Sequence, residues 1–165
     1  MTTTERLTTA TIEADSEVPL IRITRDFRAT PAQLLRAHTD PELYARWVGP
    51  EELSTRIERW DARTGGAYAF TNIGPDEEEY SFYGSFHEVT EDRLVQTFTF
   101  DGWPEAVSLE TLRVEDLGDG WTRLHGQSLF DSFEGRNQML ESGMDVGIHE
   151  GYAALDALLA EAGPR

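Results

Sequence analysis

Apolar and polar positions alternate with a period of two along most of this chain and switch to a helical period near its end. From Leu20 to Arg28, Ile21, Ile23 and Phe27 fall on one face and Arg22, Thr24 and Asp26 on the other. This is the pattern of a half-buried strand, with Arg25 interrupting the apolar face. Six further runs keep that period: Leu53 to Asp61, Gly66 to Asn72, Glu79 to Val89, Arg93 to Phe100, Val107 to Asp116 and Trp121 to Phe130. Turn-forming residues separate them, among them Thr64-Gly65-Gly66, Gly74-Pro75-Asp76, Glu91-Asp92, Asp101-Gly102 and Gly118-Asp119-Gly120. Seven strands in an antiparallel arrangement are expected.

Two short helices interrupt the strands. Thr30-Pro31 and Asp40-Pro41 each place a side-chain oxygen where it can accept a free backbone N–H, followed by a proline tolerated at the first helical position. The expected spans are Pro31 to His38 and Pro41 to Trp47, closed by Gly49-Pro50. From about Glu134 to Glu161 a long helix is expected, because Met144, Ile148, Tyr152, Leu155 and Leu159 form one apolar stripe. No other helix is long enough to cover the apolar face of a coiled sheet. Gly143, Gly147 and Gly151 recur on that helix, each costing about 1 kcal/mol against alanine. They point to close approach of a neighbouring strand, a bend, or a late start near Asp145, with Met139 to Met144 then free to gate the space beneath.

Residues 1–17 carry only Leu7 and Ile12 as large apolar positions and read as a mobile extension, a weak edge strand being the alternative. Residues 18–165 then form one domain, a size that suits a single core. No apolar run approaches the ~20 residues of a membrane span and the start lacks a secretory apolar block, so a cytoplasmic protein without membrane insertion is expected.

Composition removes several kinds of chemistry. There is no cysteine, hence no disulfide, thiolate nucleophile or zinc-thiolate site. All 14 basic residues are arginine, which excludes Schiff-base lysine chemistry. The formal net charge of −17 disfavours nucleic acid and bare membrane as partners; it reads first as surface solubility, with a basic protein partner or a cationic ligand as the alternative. His38, His87, His125 and His149 lie in no metal-ligand spacing, so no metal and no cofactor is expected. His87 and His125 fall on faces that read as solvent-exposed.

A resemblance enters through several stretches taken in order. They are Phe27-Arg28-Ala29-Thr30-Pro31, Thr39 to Leu43, Arg46-Trp47-Val48-Gly49-Pro50, and Asp61 with Gly65-Gly66-Ala67-Tyr68. Tyr83-Gly84-Ser85-Phe86-His87-Glu88-Val89 and Gly143 to Leu155 complete the set. Together they resemble the SRPBCC (START/Bet v-like) superfamily, and within it the group named for the activator of the heat-shock protein ninety ATPase. That group also holds the calicheamicin self-resistance protein, and polyketide cyclase-like proteins are related to it. Many relatives carry tryptophan where this chain has Tyr152. The resemblance implies an α+β helix-grip fold: a seven-stranded curved antiparallel sheet wrapped around a long C-terminal helix, with two short helices between strands 1 and 2. It also implies a cavity between sheet and helix. The activities known among relatives are binding of hydrophobic molecules or lipids, polyketide ring closure, sequestration of a toxic product and binding of a chaperone, and fold alone does not choose among them.

The residues expected to line such a cavity are Trp47, Tyr68, Phe70, Asn72, Phe82, Gln96, Phe98, Leu112, Met144, Ile148 and Tyr152. Asn72 and Gln96 are polar on otherwise apolar faces, where an unpaired amide would be costly unless solvent or a ligand satisfies it. No catalytic set is evident. Glu110 shares a strand face with Leu112 and Val114, and Arg113 lies on the opposite face with Leu109 and Thr111; periodicity does not say which face looks inward. The first expectation is a protein that binds a hydrophobic or aromatic small molecule, the second a cyclase-like enzyme, the third a chaperone-binding module. Trp103 beside Pro104 offers either a homodimer patch or a cavity lid.

Overall fold

The computed structural model describes residues 5–162. Strand β1 (Thr11–Ala14) and strand β2 (Leu20–Phe27) precede helices α1 (Pro31–Thr39) and α2 (Pro41–Trp47). Six strands follow: β3 (Ser54–Trp60), β4 (Ala67–Ile73), β5 (Glu79–Val89), β6 (Arg93–Phe100), β7 (Val107–Gly118) and β8 (Trp121–Leu129). Helices α3 (Phe133–Glu141) and α4 (Met144–Ala162) close the chain. The strands form one antiparallel sheet in the order β1-β2-β8-β7-β6-β5-β4-β3. Register shifts at Ile57/Arg59, Phe86/Glu88 and Asp116/Gly118 bend the strands, as an extra unpaired residue does, and help the sheet curl around α4. This is the helix-grip arrangement.

The short helices form for the local reasons the sequence suggests. Thr30 accepts from the Gln33 N–H while the Gln33 side chain accepts from the Thr30 N–H, a reciprocal cap that fixes the start of α1. Asp40 ends α1 and at once caps α2, accepting from the N–H groups of Glu42 and Leu43. The two helices follow one another with only Asp40 between them, and Leu34, Ala37 and Trp47 pack in one core cluster with Tyr152, Leu155 and Leu158 of α4.

Three expectations are corrected. The sheet has eight strands rather than seven, because residues 11–14 of the stretch read as a mobile extension pair along β2, Thr11 opposite Thr24 through Ala14 opposite Ile21. The Leu7 N–H also donates to the Asp26 carboxylate and the Asp26 N–H to the Leu7 carbonyl, so hydrogen bonds to Asp26 tie the arm down. Residues 1–4 of that stretch lie outside the described residues.

The long final helix is two helices. Gly143 adopts φ +87°, a left-handed conformation that ends α3 and lets α4 start at Met144. This is the late start among the alternatives. Gly151 serves a different purpose: a Cβ there would sit 3.1 Å from the Trp47 carbonyl oxygen, so it permits close approach to the end of α2 rather than to a strand. The third correction concerns the amides of Asn72 and Gln96, and belongs with the cavity they border.

Candidate functional site

The inward face of the sheet does not meet α4 everywhere. Near the C-terminal end of α4, Phe27, Leu124, Leu155, Leu158 and Leu159 pack into a closed core. Towards its N-terminus the helix stands off from the sheet and leaves a cavity of about 550 Å³. All eleven residues expected to line such a space border it: Trp47 from α2; Tyr68, Phe70 and Asn72 from β4; Phe82 from β5; Gln96 and Phe98 from β6; Leu112 from β7; and Met144, Ile148 and Tyr152 from α4. Period two grouped the residues of β4, β5 and β6 on one face and period 3.6 those of α4, whereas the inward face of β7, and so Leu112, was fixed only by the sheet register.

The floor is a ladder of aromatic rings crossing three strands. Tyr68 and Phe70 stack at 6.2 Å between centroids, Phe70 and Phe82 at 5.3 Å, and Phe82 and Phe98 at 5.1 Å. Tyr44, absent from the expected set, joins them by packing edge-on against Trp47 and Phe70 and tilted against Trp60. The indole N–H groups are already used: Trp47 donates to the Ala37 carbonyl at 2.9 Å and Trp60 to the Thr39 carbonyl at 2.7 Å. What these side chains present to the cavity is therefore mostly apolar ring. Trp60 and Tyr44 were not in the expected set, and it is packing against Trp47, Phe70 and each other that brings them to the cavity.

One polar atom of each amide has a protein partner, which narrows the expectation that solvent or a ligand could satisfy them to Asn72 Nδ2 and Gln96 Oε1. Asn72 Oδ1 accepts from the Thr55 hydroxyl at 2.9 Å. Gln96 Nε2 donates to the Tyr68 hydroxyl oxygen at 3.3 Å, while that hydroxyl donates to the Thr97 carbonyl at 2.5 Å. Burial pushes the phenols of Tyr44, Tyr68 and Tyr152 well above their ordinary value, so all three remain neutral donors. His38 Nδ1 sits 2.8 Å from the Leu34 carbonyl, and burial lowers its pKa to about 4, leaving the ring neutral against Trp47.

Glu110 is the exception. The register settles which face of β7 looks inward: Glu110 stands between Gln96 of β6 and Ser128 of β8, and all three border the cavity, while Leu109 and Arg113 face outward. Its side chain is half-buried and borders the cavity. Burial raises its carboxyl to about 7, and no hydrogen bond or cation opposes the shift. The lining also includes Glu52, Glu78 and Tyr80, and Met139, Ser142, Gly143 and Met144 at the α3–α4 break; of these Glu52, Tyr80, Ser142 and Gly143 are exposed and the others half-buried. Among the described residues no group of three His, Asp or Glu side chains is placed to hold a metal, and no helix is long and apolar enough to cross a membrane.

Comparison with known proteins agrees with this architecture. A protein from Rhodobacter sphaeroides matches with a TM-score of 0.83 at 26% identity, over 94% of this chain and 100% of its own. One from Arthrobacter aurescens matches with a TM-score of 0.83 at 27% identity, over 92% and 91%. The AHSA1 protein from Silicibacter pomeroyi shares the fold, with a TM-score of 0.70 at 21% identity over 87% and 99%. A search of curated proteins matched none to this chain. The profile described as "Activator of Hsp90 ATPase homolog 1-like protein" matches residues 28–160. With its eight-stranded sheet gripping a final helix, the chain belongs to that family, within the SRPBCC superfamily.

Proposed function

We propose that this protein binds a hydrophobic or aromatic small molecule, lipid-like or polyketide-like, in the cavity between the sheet and the α3–α4 junction. The observation that carries the reading is the cavity itself. Its volume of about 550 Å³ lies in the range of small-molecule sites, and its floor is a continuous aromatic ladder. A protein without a guest gains nothing from leaving such a volume unfilled, since filling it with side chains would add dispersion contacts.

Thermal shift and native mass spectrometry against a panel of lipids and aromatic polyketides test this. A guest at 100-fold its Kd stabilises by about 2.7 kcal/mol, which raises the midpoint by several degrees. Leu112→Trp, which places bulk on the cavity wall, should abolish the shift without unfolding the protein. Silence across a broad panel would sink the reading.

A second reading, a cyclase-like enzyme, is favoured by one observation: an inward carboxyl held near 7 can give or take a proton at neutral pH. Turnover of a polyketide substrate that is lost in Glu110→Gln while binding persists would establish it.

A further inference from the structure

Glu110 projects from β7 into a cavity that offers it no cationic partner. The ionisable groups facing it come from every surrounding wall: Tyr44 of α2, Tyr68 of β4, Tyr152 of α4 and His38 of α1, all neutral, with the carboxylates of Glu52 and Glu78 also in the lining. Among the described residues no arginine borders the cavity. Arg25, whose guanidinium lies 5.9 Å from the Tyr152 ring, is committed to Asp156 by two hydrogen bonds of 2.6 Å. The site thus combines one unpaired carboxyl, a wall of aromatic faces and two further lining carboxylates, on a chain of net charge −17.

We infer that the guest is a hydrophobic cation: an aromatic or alicyclic amine whose ammonium pairs with Glu110 while its ring lies on the Phe70–Phe82–Phe98 ladder. The inference rests on the reading of the cavity as a binding site and narrows its chemistry. Three physical effects act in the same direction. A desolvated carboxylate recovers its lost hydration through an ion pair made in the cavity. The faces of Tyr44, Trp47 and Tyr152 attract a cation through their ring quadrupoles. The lining carboxylates of Glu52 and Glu78 and the overall charge concentrate cations near the cavity and repel anions such as fatty acids. The carboxyl, held near 7 when the cavity has no guest, would release its proton as the ammonium enters.

The test is calorimetric titration of the full chain with three matched probes, 1-naphthylmethylamine, 1-naphthylmethanol and 1-naphthoic acid, at about pH 8, where the carboxylate prevails. The amine should bind about tenfold more tightly than the alcohol, and the acid most weakly. In Glu110→Gln the amine preference should fall to within about twofold while affinity for the alcohol is kept. In the unaltered protein the preference should shrink between about pH 8 and pH 6 as Glu110 takes up its proton, a readout that stands even where the variant fails to fold. An amine no tighter than the alcohol, or a preference that survives in Glu110→Gln, overturns the inference and leaves the cavity reading intact. Binding of none of the three, with silence across the wider panel, overturns both.

Discussion

The Arg25 guanidinium and the Asp156 carboxylate meet in a two-bond fork, each bond 2.6 Å long, that ties β2 to α4. Arg25 interrupts an apolar strand face because it faces α4, where its planar head also covers the Phe27 ring at 4.5 Å. The pair is asymmetric: the arginine side chain is 8% exposed and the aspartate 47%. Removing the aspartate strands a buried charge, whereas removing the arginine leaves a carboxylate that water can solvate. Asp156→Ala should therefore cost roughly 2 kcal/mol, between the values for exposed and buried pairs, and Arg25→Met roughly half of that. Urea denaturation of the two variants reads the difference, and equal losses would contradict the asymmetry.

Glu110 makes stability fall with rising pH. Its folded pKa, about 7, exceeds the ordinary carboxyl value, so the folded state holds the proton more tightly than the unfolded chain. The favourable contribution is complete below about pH 4.5 and is lost as pH rises through about 7. Glu110→Gln cannot ionise. It should match the parent protein at low pH and exceed it by roughly 1–3 kcal/mol above neutrality, the lower end applying where water in the cavity screens the charge. Melting curves from about pH 4 to pH 8.5 follow this.

His38 acts with the opposite sign. Burial depresses its folded pKa to about 4, so its contribution is present above the ordinary imidazole value and is lost as pH falls towards 4. His38→Phe keeps a ring against Trp47 and should flatten the acid limb of the stability curve by roughly 2–3 kcal/mol relative to the parent. An unchanged acid limb would show that the ring is not held neutral.

The three glycines of the final segment should respond differently to alanine. At Gly143 the left-handed φ of +87° makes a Cβ costly, so Gly143→Ala should destabilise by about 1–2 kcal/mol. At Gly147 a Cβ would rest 3.6 Å from Pro50 in ordinary contact, so helix propensity dominates and Gly147→Ala should stabilise by up to about 1 kcal/mol. Gly151→Ala falls between them, since its Cβ would crowd the Trp47 carbonyl at 3.1 Å. Chemical denaturation of the three variants gives the order directly.

Much of the fold was legible because its signals are local. Alternation gave β5 and β6 their observed limits, Glu79–Val89 and Arg93–Phe100, and Thr30-Pro31 and Asp40-Pro41 marked α1 and α2 because a cap acts on the residues that follow it. The same period assigned the aromatic side chains of β4, β5 and β6 to one face, and the helical period put Met144, Ile148 and Tyr152 on one stripe. Strand β1 was legible only as a weak edge-strand alternative: its four residues carry Ile12 as their single large apolar side chain, too short a run for alternation to show, and are held by pairing to β2.

The sequence by itself thus determined the elements, their antiparallel style and which residues share a face, since each of these follows from backbone geometry repeated every two or 3.6 residues. The tertiary structure alone decided which face of β7 looks inward. A two-residue period divides Glu110 and Leu112 from Leu109 and Arg113 with equal force either way round, and only the register with β6 and β8 under α4 broke that symmetry. It also decided that Thr55 bonds the Asn72 carbonyl oxygen and Tyr68 the Gln96 amide nitrogen while Glu110 keeps its carboxyl unpaired, because a hydrogen-bond partner is chosen by proximity in space.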